Sequence, residues 1–316
     1  MTLNAKISTL LASAALVSLA GAAPNPMPIP NPEEPTPKPW GIVAISVLNV
    51  REKPGNPAEM GTQLWMGSAF KILKEETNWF YVQSEDGYLG WTESGFVSCA
   101  DDQIKQWKAS PLWIVTALDD QILEQPDPEA QPVSDVVLCD LVKRIGETND
   151  WLRVELPDGR SGYLAKKSAA EFAQWRGERR PTPENIERTA KSFLGRPYFW
   201  GCNTPRGMDC SGPTKLVFYL NGVDLNRNAS QQAIEGEDVL LDKDLSQLRK
   251  GDLLFFGHRA SKGHDEKVNH VAIYLGDKLF IQSAGMVRIS SFDPASPICD
   301  HRRLHNLLRA RRVLKE

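Results

Sequence analysis

A repeat at an offset of 72 residues constrains this 316-residue chain more than any other feature. Thr77-Asn78-Trp79 returns as Thr148-Asn149-Asp150-Trp151, with Trp79 and Trp151 in register. At the same offset Asp86-Gly87 becomes Asp158-Gly159, Gly90 becomes Gly162 and Trp91 becomes Tyr163. Each copy reads as a strand carrying Trp, a D-G turn, and a strand carrying Gly followed by an aromatic. Short alternating runs surround these signals, among them Val47-Leu48-Asn49-Val50-Arg51 and Trp79-Phe80-Tyr81-Val82, with a turn at Lys53-Pro54-Gly55-Asn56-Pro57. The pattern predicts two small all-β barrels, over residues 40–100 and 108–170. Tyr88 of the first copy is Arg160 in the second; taken alone, Tyr88 reads as a surface aromatic on a hairpin.

The segments ahead of the repeat have a different character. Residues 1–22 carry Lys6, an apolar run from Ile7 to Leu19, and Ala20-Gly21-Ala22, the pattern of a secretory signal with its cleavage site. The run is too short and alanine-rich for a comfortable membrane span. An exported protein is expected, periplasmic or extracellular, with no stable membrane insertion after cleavage. Eight prolines between 24 and 39 make residues 23–39 a stiff linker that cannot form a core. A formal net charge of -3 offers no basic field for nucleic acid. In an exported chain, five cysteines (Cys99, Cys139, Cys202, Cys210, Cys299) leave an odd thiol if the rest pair, and all five can equally be reduced.

Beyond residue 181 the pattern changes to helices followed by strands. Thr182-Pro183-Glu184 is a helix start, with Ile186, Ala190, Phe193 and Leu194 at helical spacing and Gly195 ending it. Asp209-Cys210-Ser211-Gly212 then leads into Pro213-Thr214-Lys215-Leu216-Val217-Phe218-Tyr219-Leu220, a buried helix with Pro213 in its first turn. Strands are expected at 251–256, 268–275 and 278–284, with Arg311-Arg312-Val313-Leu314 closing the sheet. This order predicts an α+β domain over 181–316.

Cys210 at a helix N-terminus meets unpaired N–H groups and the positive end of the helix dipole, both of which favour the thiolate. A small buried core cysteine is the competing reading. A thiol nucleophile needs an imidazole and a group that fixes its tautomer. His258 and His264 lie in a polar loop, and His301 and His305 in a basic stretch. His270 alone sits in an apolar strand. A hairpin turn at Gly276-Asp277, paired symmetrically about Gly276, sets Gln282 opposite His270, where its amide oxygen can hold one ring nitrogen while the other faces Cys210.

Gly195-Arg196-Pro197-Tyr198-Phe199-Trp200-Gly201, Asp209-Cys210-Ser211-Gly212, Gly251-Asp252-Leu253 and Asn269-His270-Val271-Ala272-Ile273-Tyr274-Leu275-Gly276 together resemble the NlpC-type cell-wall cysteine peptidases. The repeat resembles the bacterial SH3-like modules of cell-wall proteins. The combination is most similar to dipeptidyl-peptidase VI-like γ-D-glutamyl-L-diamino-acid endopeptidases. That resemblance implies a papain-like α+β cysteine peptidase domain preceded by two small all-β SH3-like barrels. It implies Cys210 as nucleophile, His270 as base and Gln282 as orienting residue, in a position that is often histidine in the family. Cys202 stands where the motif usually has a second glycine, and Asn228-Ala229 where acidic or hydroxyl residues often occur. The first barrel is implied to cap the site, with Glu59 and Tyr88 on the free amine of L-Ala, and Tyr198, Trp200, Asp209 and Ser211 lining the other subsites. Aromatic core packing is the other reading of Tyr198 and Trp200.

The implied substrate is a murein-derived peptide, cut between γ-D-Glu and L-Lys or diaminopimelate, in cell-wall peptide recycling. Two alternatives stand beside it: an endopeptidase on intact peptidoglycan with wall-binding SH3-like modules, and a non-catalytic wall-binding scaffold. No cofactor and no metal are expected, because Cys299, His301 and His305 lack a second half of a ligand set.

Overall fold

The computed structural model describes residues 38–261 and 263–315. The expected signal segment, and the expected linker up to residue 37, lie outside the described residues. The chain then builds two seven-stranded sheets. The first holds β1 (Trp40–Val43), β2 (Val47–Arg51), β3 (Met60–Trp65), β4 (Ala69–Glu76), β5 (Trp79–Ser84), β6 (Leu89–Thr92) and β7 (Phe96–Cys99). Helix α1 (Asp101–Ala109) connects it to β8 (Leu112–Val115), β9 (Asp119–Leu123), β10 (Pro132–Val137), β11 (Leu141–Thr148), β12 (Trp151–Glu155), β13 (Ser161–Ala165) and β14 (Ala169–Glu171).

The offset of 72 extends well past the residues that reveal it in the sequence. β8 to β13 each begin 72 residues after β1 to β6. The pairings agree as well, Tyr81 with Trp91 in one sheet and Arg153 with Tyr163 in the other. Even the turn tips match: Thr77 and Asn149 both take positive φ, 58° and 46°, as do Gly87 and Gly159 at 80° and 85°.

The strand orders are β3-β2-β6-β5-β4-β1-β7 and β10-β9-β13-β12-β11-β8-β14, the same order twice. Neither pairs its two end strands, so these are open sheets and not the closed barrels expected. Their edges are covered by side chains instead. Asn203 donates to the Gln63 carbonyl of β3 at 3.2 Å, and Arg160 to the Val133 carbonyl of β10 at 3.0 Å.

Helix α2 (Phe172–Gly177) leads into the α+β domain. Helix α3 (Pro183–Lys191) starts as expected, with the Thr182 hydroxyl accepting from Asn185 N at 3.2 Å. It stops before Gly195, and Leu194 is exposed where its spacing had placed it inward. A two-stranded ribbon, β15 (Asn203–Thr204) and β16 (Gly207–Met208), precedes α4 (Ser211–Leu220) and the short α5 (Ala229–Gln232). The sheet comprises β17 (Glu237–Val239), β18 (Leu253–His258), β19 (Lys267–Gly276), β20 (Leu279–Ala284), β21 (Met286–Ser291) and, after α6 (His301–Asn306), β22 (Leu307–Arg312), in the order β17-β22-β18-β19-β20-β21. The last strand therefore begins earlier than expected and lies inside the sheet, with β17 outside it; β17 and β21 are two strands that the apolar pattern had not shown. α4 is apolar almost all round, and Leu216, Val217 and Phe218 are fully buried against the sheet. Each such side chain contributes about 2 kcal/mol of burial free energy. The same core takes in Ile114 of β8 and Leu138 and Cys139 of the turn between β10 and β11.

Candidate active site

Cys210 is the residue at the head of α4, buried at the base of a cleft of about 740 Å³. Asp209, just before it, caps the helix: one carboxylate oxygen accepts from Ser211 N at 3.1 Å and Gly212 N at 2.8 Å, the other from Gly201 N at 3.2 Å. Asp209 is held in turn by Arg227, which is 1% exposed. The guanidinium grips both carboxylate oxygens at 2.5 and 3.1 Å, reaches the Ser211 hydroxyl at 2.8 Å, and donates through Nε to Thr62 of the first sheet at 2.9 Å.

This capping overturns the expectation of a thiolate favoured by the helix end. Asp209 takes the first N–H groups and adds its own negative charge. Burial pushes the Cys210 thiol up to about 12, Asp209 pushes the same way, and Arg227 and Arg303 only partly oppose them. The Val271 N–H, one residue past His270, is directed at the Cys210 sulfur.

His270 is buried on β19 with its ring 5.7 Å from Phe256 across the ladder. Burial, reinforced by the Arg303 charge, pulls its imidazole down to about 3. Burial thus works against the charged form of both Cys210 and His270. His270 Nε2 lies 2.8 Å from Gln282 Oε1, although not by the register expected. Gly276 pairs with Leu279, so the turn falls on Asp277 and Lys278, and Ile273 pairs with Ile281. Continued, that register sets Gln282 opposite Ala272, two residues along from His270. A slip of two keeps the same sheet face, so the contact forms on the diagonal.

The cleft is also lined by Tyr88, Tyr198, Trp200, Asp209 and Ser211, and by His258, Lys267 and Arg302. Trp200 is 45% exposed, which argues against its core-packing reading, whereas Tyr198 is half-buried and burial raises its hydroxyl. Burial likewise takes Tyr88 to about 12. Gly61 makes room for it, since a Cβ there would overlap the Tyr88 hydroxyl. Glu59 is exposed and outside the cleft; the carboxylate the first sheet brings in is Glu52, whose backbone N–H donates to Glu59 O at 3.0 Å. Asn228 borders the cleft as the residue capping α5. None of the five cysteines is joined in a disulfide. Cys202 is buried, and its carbonyl accepts from Asp209 N at 2.9 Å.

Four further side chains escaped the sequence reading: Arg227, Ser290, Asp300 and Arg303. Arg227 adjoins Asn228, where a departure from the family pattern is visible, but its partner Asp209 is 18 residues away and nothing local links them.

The fold, and one cleft lined by both a buried thiol and a strand histidine, are those of a cysteine peptidase. Residues 195–303 match the NlpC/P60 family, and residues 50–94 match the bacterial dipeptidyl-peptidase Sh3 domain. The chain is 27% identical over 269 residues to dipeptidyl-peptidase 6 of Lysinibacillus sphaericus, covering 81% of this chain and 93% of that one. It is 28% identical over 236 residues to the gamma-D-glutamyl-L-lysine dipeptidyl-peptidase of Bacillus cereus, covering 72% and 68% respectively. A crystal structure of an NlpC/P60 family protein from Bacillus cereus superposes with a TM-score of 0.71 at 23% identity, over 87% of this chain and all of that one, a likeness of fold. Residues 195–303 thus form an NlpC/P60 domain, of a cysteine peptidase class, and a dipeptidyl-peptidase Sh3 domain lies ahead of it at residues 50–94.

Proposed function

We propose that this peptidase hydrolyses the γ-D-glutamyl–diamino acid bond of murein peptides that carry a free N-terminal L-Ala, and that it serves cell-wall peptide recycling. One observation carries the reading: the first sheet walls the thiol's cleft and contributes Glu52 and Tyr88 to it. Burial and the neighbouring Glu59 raise the Glu52 carboxyl, and an ammonium arriving beside it acts in the opposite direction and favours the carboxylate. A glycan-linked stem peptide has no such ammonium and meets the wall of the first sheet.

Cys210 is the nucleophile, His270 the base and Gln282 the orienting residue. With thiol and imidazole both neutral at rest, the proton passes from Sγ to Nδ1 as sulfur bonds the γ-glutamyl carbon. Asp209 occupies the Ser211 and Gly212 amides, which leaves the Cys210 N–H as the donor beside the developing oxyanion. The imidazolium then protonates the departing amine of the diamino acid, leaving a thioester. Water attacks the thioester, His270 takes its proton and returns it to sulfur.

The test compares L-Ala-γ-D-Glu-L-Lys and its diaminopimelate counterpart with N-acetylated forms and with purified sacculi. Loss of the ammonium contact is expected to lower kcat/KM about 100-fold or more. Equal kinetics on blocked and free peptides, or comparable release from sacculi, overturns the reading. The neutral pair has its own signature. Alkylation of Cys210 by iodoacetamide rises about tenfold per pH unit from 6 to 10, where a resting ion pair gives a plateau from about pH 5.

A further inference from the structure

Gln282 is an amide, and an amide can face either way. Its outline is nearly the same after a flip, but the flip exchanges an acceptor for two donors. With the oxygen toward His270, the ring nitrogen Nε2 carries the proton and Nδ1 is free to accept one. With the NH2 toward His270, Nε2 must accept, the proton sits on Nδ1, and the base is blocked.

The structure surrounds this amide with two groups that each have a single polarity. Arg303, which can only donate, places Nε 3.2 Å from Gln282 Oε1. Asp300, whose carboxylate can only accept, takes the Gln282 amide N–H at 2.9 Å on Oδ2. Ser290 accepts the other amide hydrogen at 2.9 Å and, as a hydroxyl, would tolerate either orientation. Gln282 is 2% exposed, so no solvent competes. Both partners are themselves fixed. Asp300 Oδ1 caps α6 by accepting from Arg303 N at 3.1 Å, and Arg288 stands 3.6 Å from Oδ2. The Arg303 guanidinium lies 5.3 Å from the centre of the Phe256 ring, the same ring that packs on His270.

We propose that Asp300 and Arg303 are positioning residues that lock the Gln282 amide with its oxygen toward His270, and so hold the imidazole in the tautomer with Nδ1 unprotonated. A flip sets the amide oxygen against the Asp300 carboxylate and the NH2 against the Arg303 cation, which opposes it twice over. In a family position often filled by histidine, the glutamine is thereby given one direction. The proposal rests on the assignment of His270 as the base, whereas the tautomer itself can be read without any substrate.

The experiment uses the full chain labelled with 15N-histidine, with the His270 signals assigned by loss in His270→Asn. The wild type is expected to show His270 protonated on Nε2. Asp300→Asn keeps a good helix cap but removes the single polarity, and Arg303→Gln does the same on the other side. The double variant is expected to show a second His270 species protonated on Nδ1. Its kcat should fall about tenfold with KM little changed, well short of the roughly 10⁴-fold that a fully wrong tautomer costs a Ser-His-Asp triad. In the Gln282→Glu background, whose carboxylate has no wrong face, Asp300→Asn should raise kcat by relieving repulsion. An unchanged tautomer in the double variant overturns the proposal. So does a rise in KM at constant kcat, which marks Arg303 as a substrate contact in the cleft it lines. If the murein peptides prove not to be substrates, the spectra still decide the tautomer.

Discussion

The two SH3-like sheets share one strand order and one set of turns, yet only the first faces the thiol. Four positions separated by 72 residues carry the difference. Glu52 lines the cleft, while Glu124 is exposed. Gly61 leaves room for the Tyr88 hydroxyl, while its counterpart Val133 packs beside Gly162 in the second copy. Thr62 is buried against Arg227, while the Ser134 hydroxyl turns to a backbone carbonyl of its own strand. Tyr88 enters the site, while Arg160 spans from the second sheet to the Ala44 carbonyl of the first at 3.0 Å. A hairpin scaffold thus becomes a wall of the site through a few side chains, and its duplicate becomes the support that fixes that wall in place.

The largest effect should come from Arg227, the cation that joins the first sheet to the base of the site. Arg227→Met leaves Asp209 buried without its partner, and removal of one member of a buried pair costs about 3–5 kcal/mol. Urea unfolding should show that loss, and kcat/KM should fall about 100-fold or more because the loop and helix head that Asp209 ties together loosen. The second sheet supplies the control. Arg206 pairs with Asp119 at 2.7 Å and Asp135 at 2.6 Å, but its side chain is 42% exposed. Arg206→Met should cost less than about 1 kcal/mol. Equal losses from the two variants would erase the distinction between wall and support.

Gly61→Val writes the second copy's residue into the first. The added side chain displaces Tyr88, and kcat/KM on free-amine peptides should drop about 10–100-fold with the secondary structure intact by circular dichroism. An unchanged constant would show that the Tyr88 hydroxyl does not meet the substrate. Glu52→Gln should cost about tenfold on the same peptides, the scale of one charge-assisted contact, and nothing on N-acetylated ones. Glu124→Gln, its counterpart, should leave both unchanged.

Much of this was legible from local chemistry. The Asp-Gly turns and the recurring Trp exposed the duplication because turn residues and strand aromatics are read within a few positions. The thiol at the head of an apolar helix and the histidine in an apolar strand are equally local. The hairpin register was not: Gly276 looked like the centre of the turn, but it pairs with Leu279 and the turn falls on Asp277 and Lys278, and the slip of two left the His270–Gln282 contact in place only because the face is unchanged. Glu52 and Glu59 flank one hairpin loop, and nothing in their own segment says which carboxylate turns into the cleft. The open sheets, the buried Arg227–Asp209 pair and the Asp300–Arg303 clamp depend on contacts between distant segments. So does the raised thiol, since an N-terminal helix dipole says nothing of the carboxylate placed against it.

The smallest effect, and the one that most sharpens the comparison, belongs to Arg160. It makes two main-chain contacts, with Ala44 of the first sheet and Val133 of its own, and pairs with Asp158 at 2.7 Å. Its side chain is 42% exposed, so solvent screens most of the charge interaction. Arg160→Ala should therefore lower stability by about 1 kcal/mol, a shift in Tm of about 2–4 °C, with kcat/KM unchanged on free-amine peptides. The unchanged kcat/KM is the decisive half of that outcome. Arg160 occupies the repeat position of Tyr88, so if the two sheets acted on the substrate together its loss would register in catalysis as well as in melting. A selective fall in activity at constant Tm would mean that the second sheet steers the first over the thiol. A fall in Tm alone assigns Arg160 to joining the two copies and leaves recognition to the first.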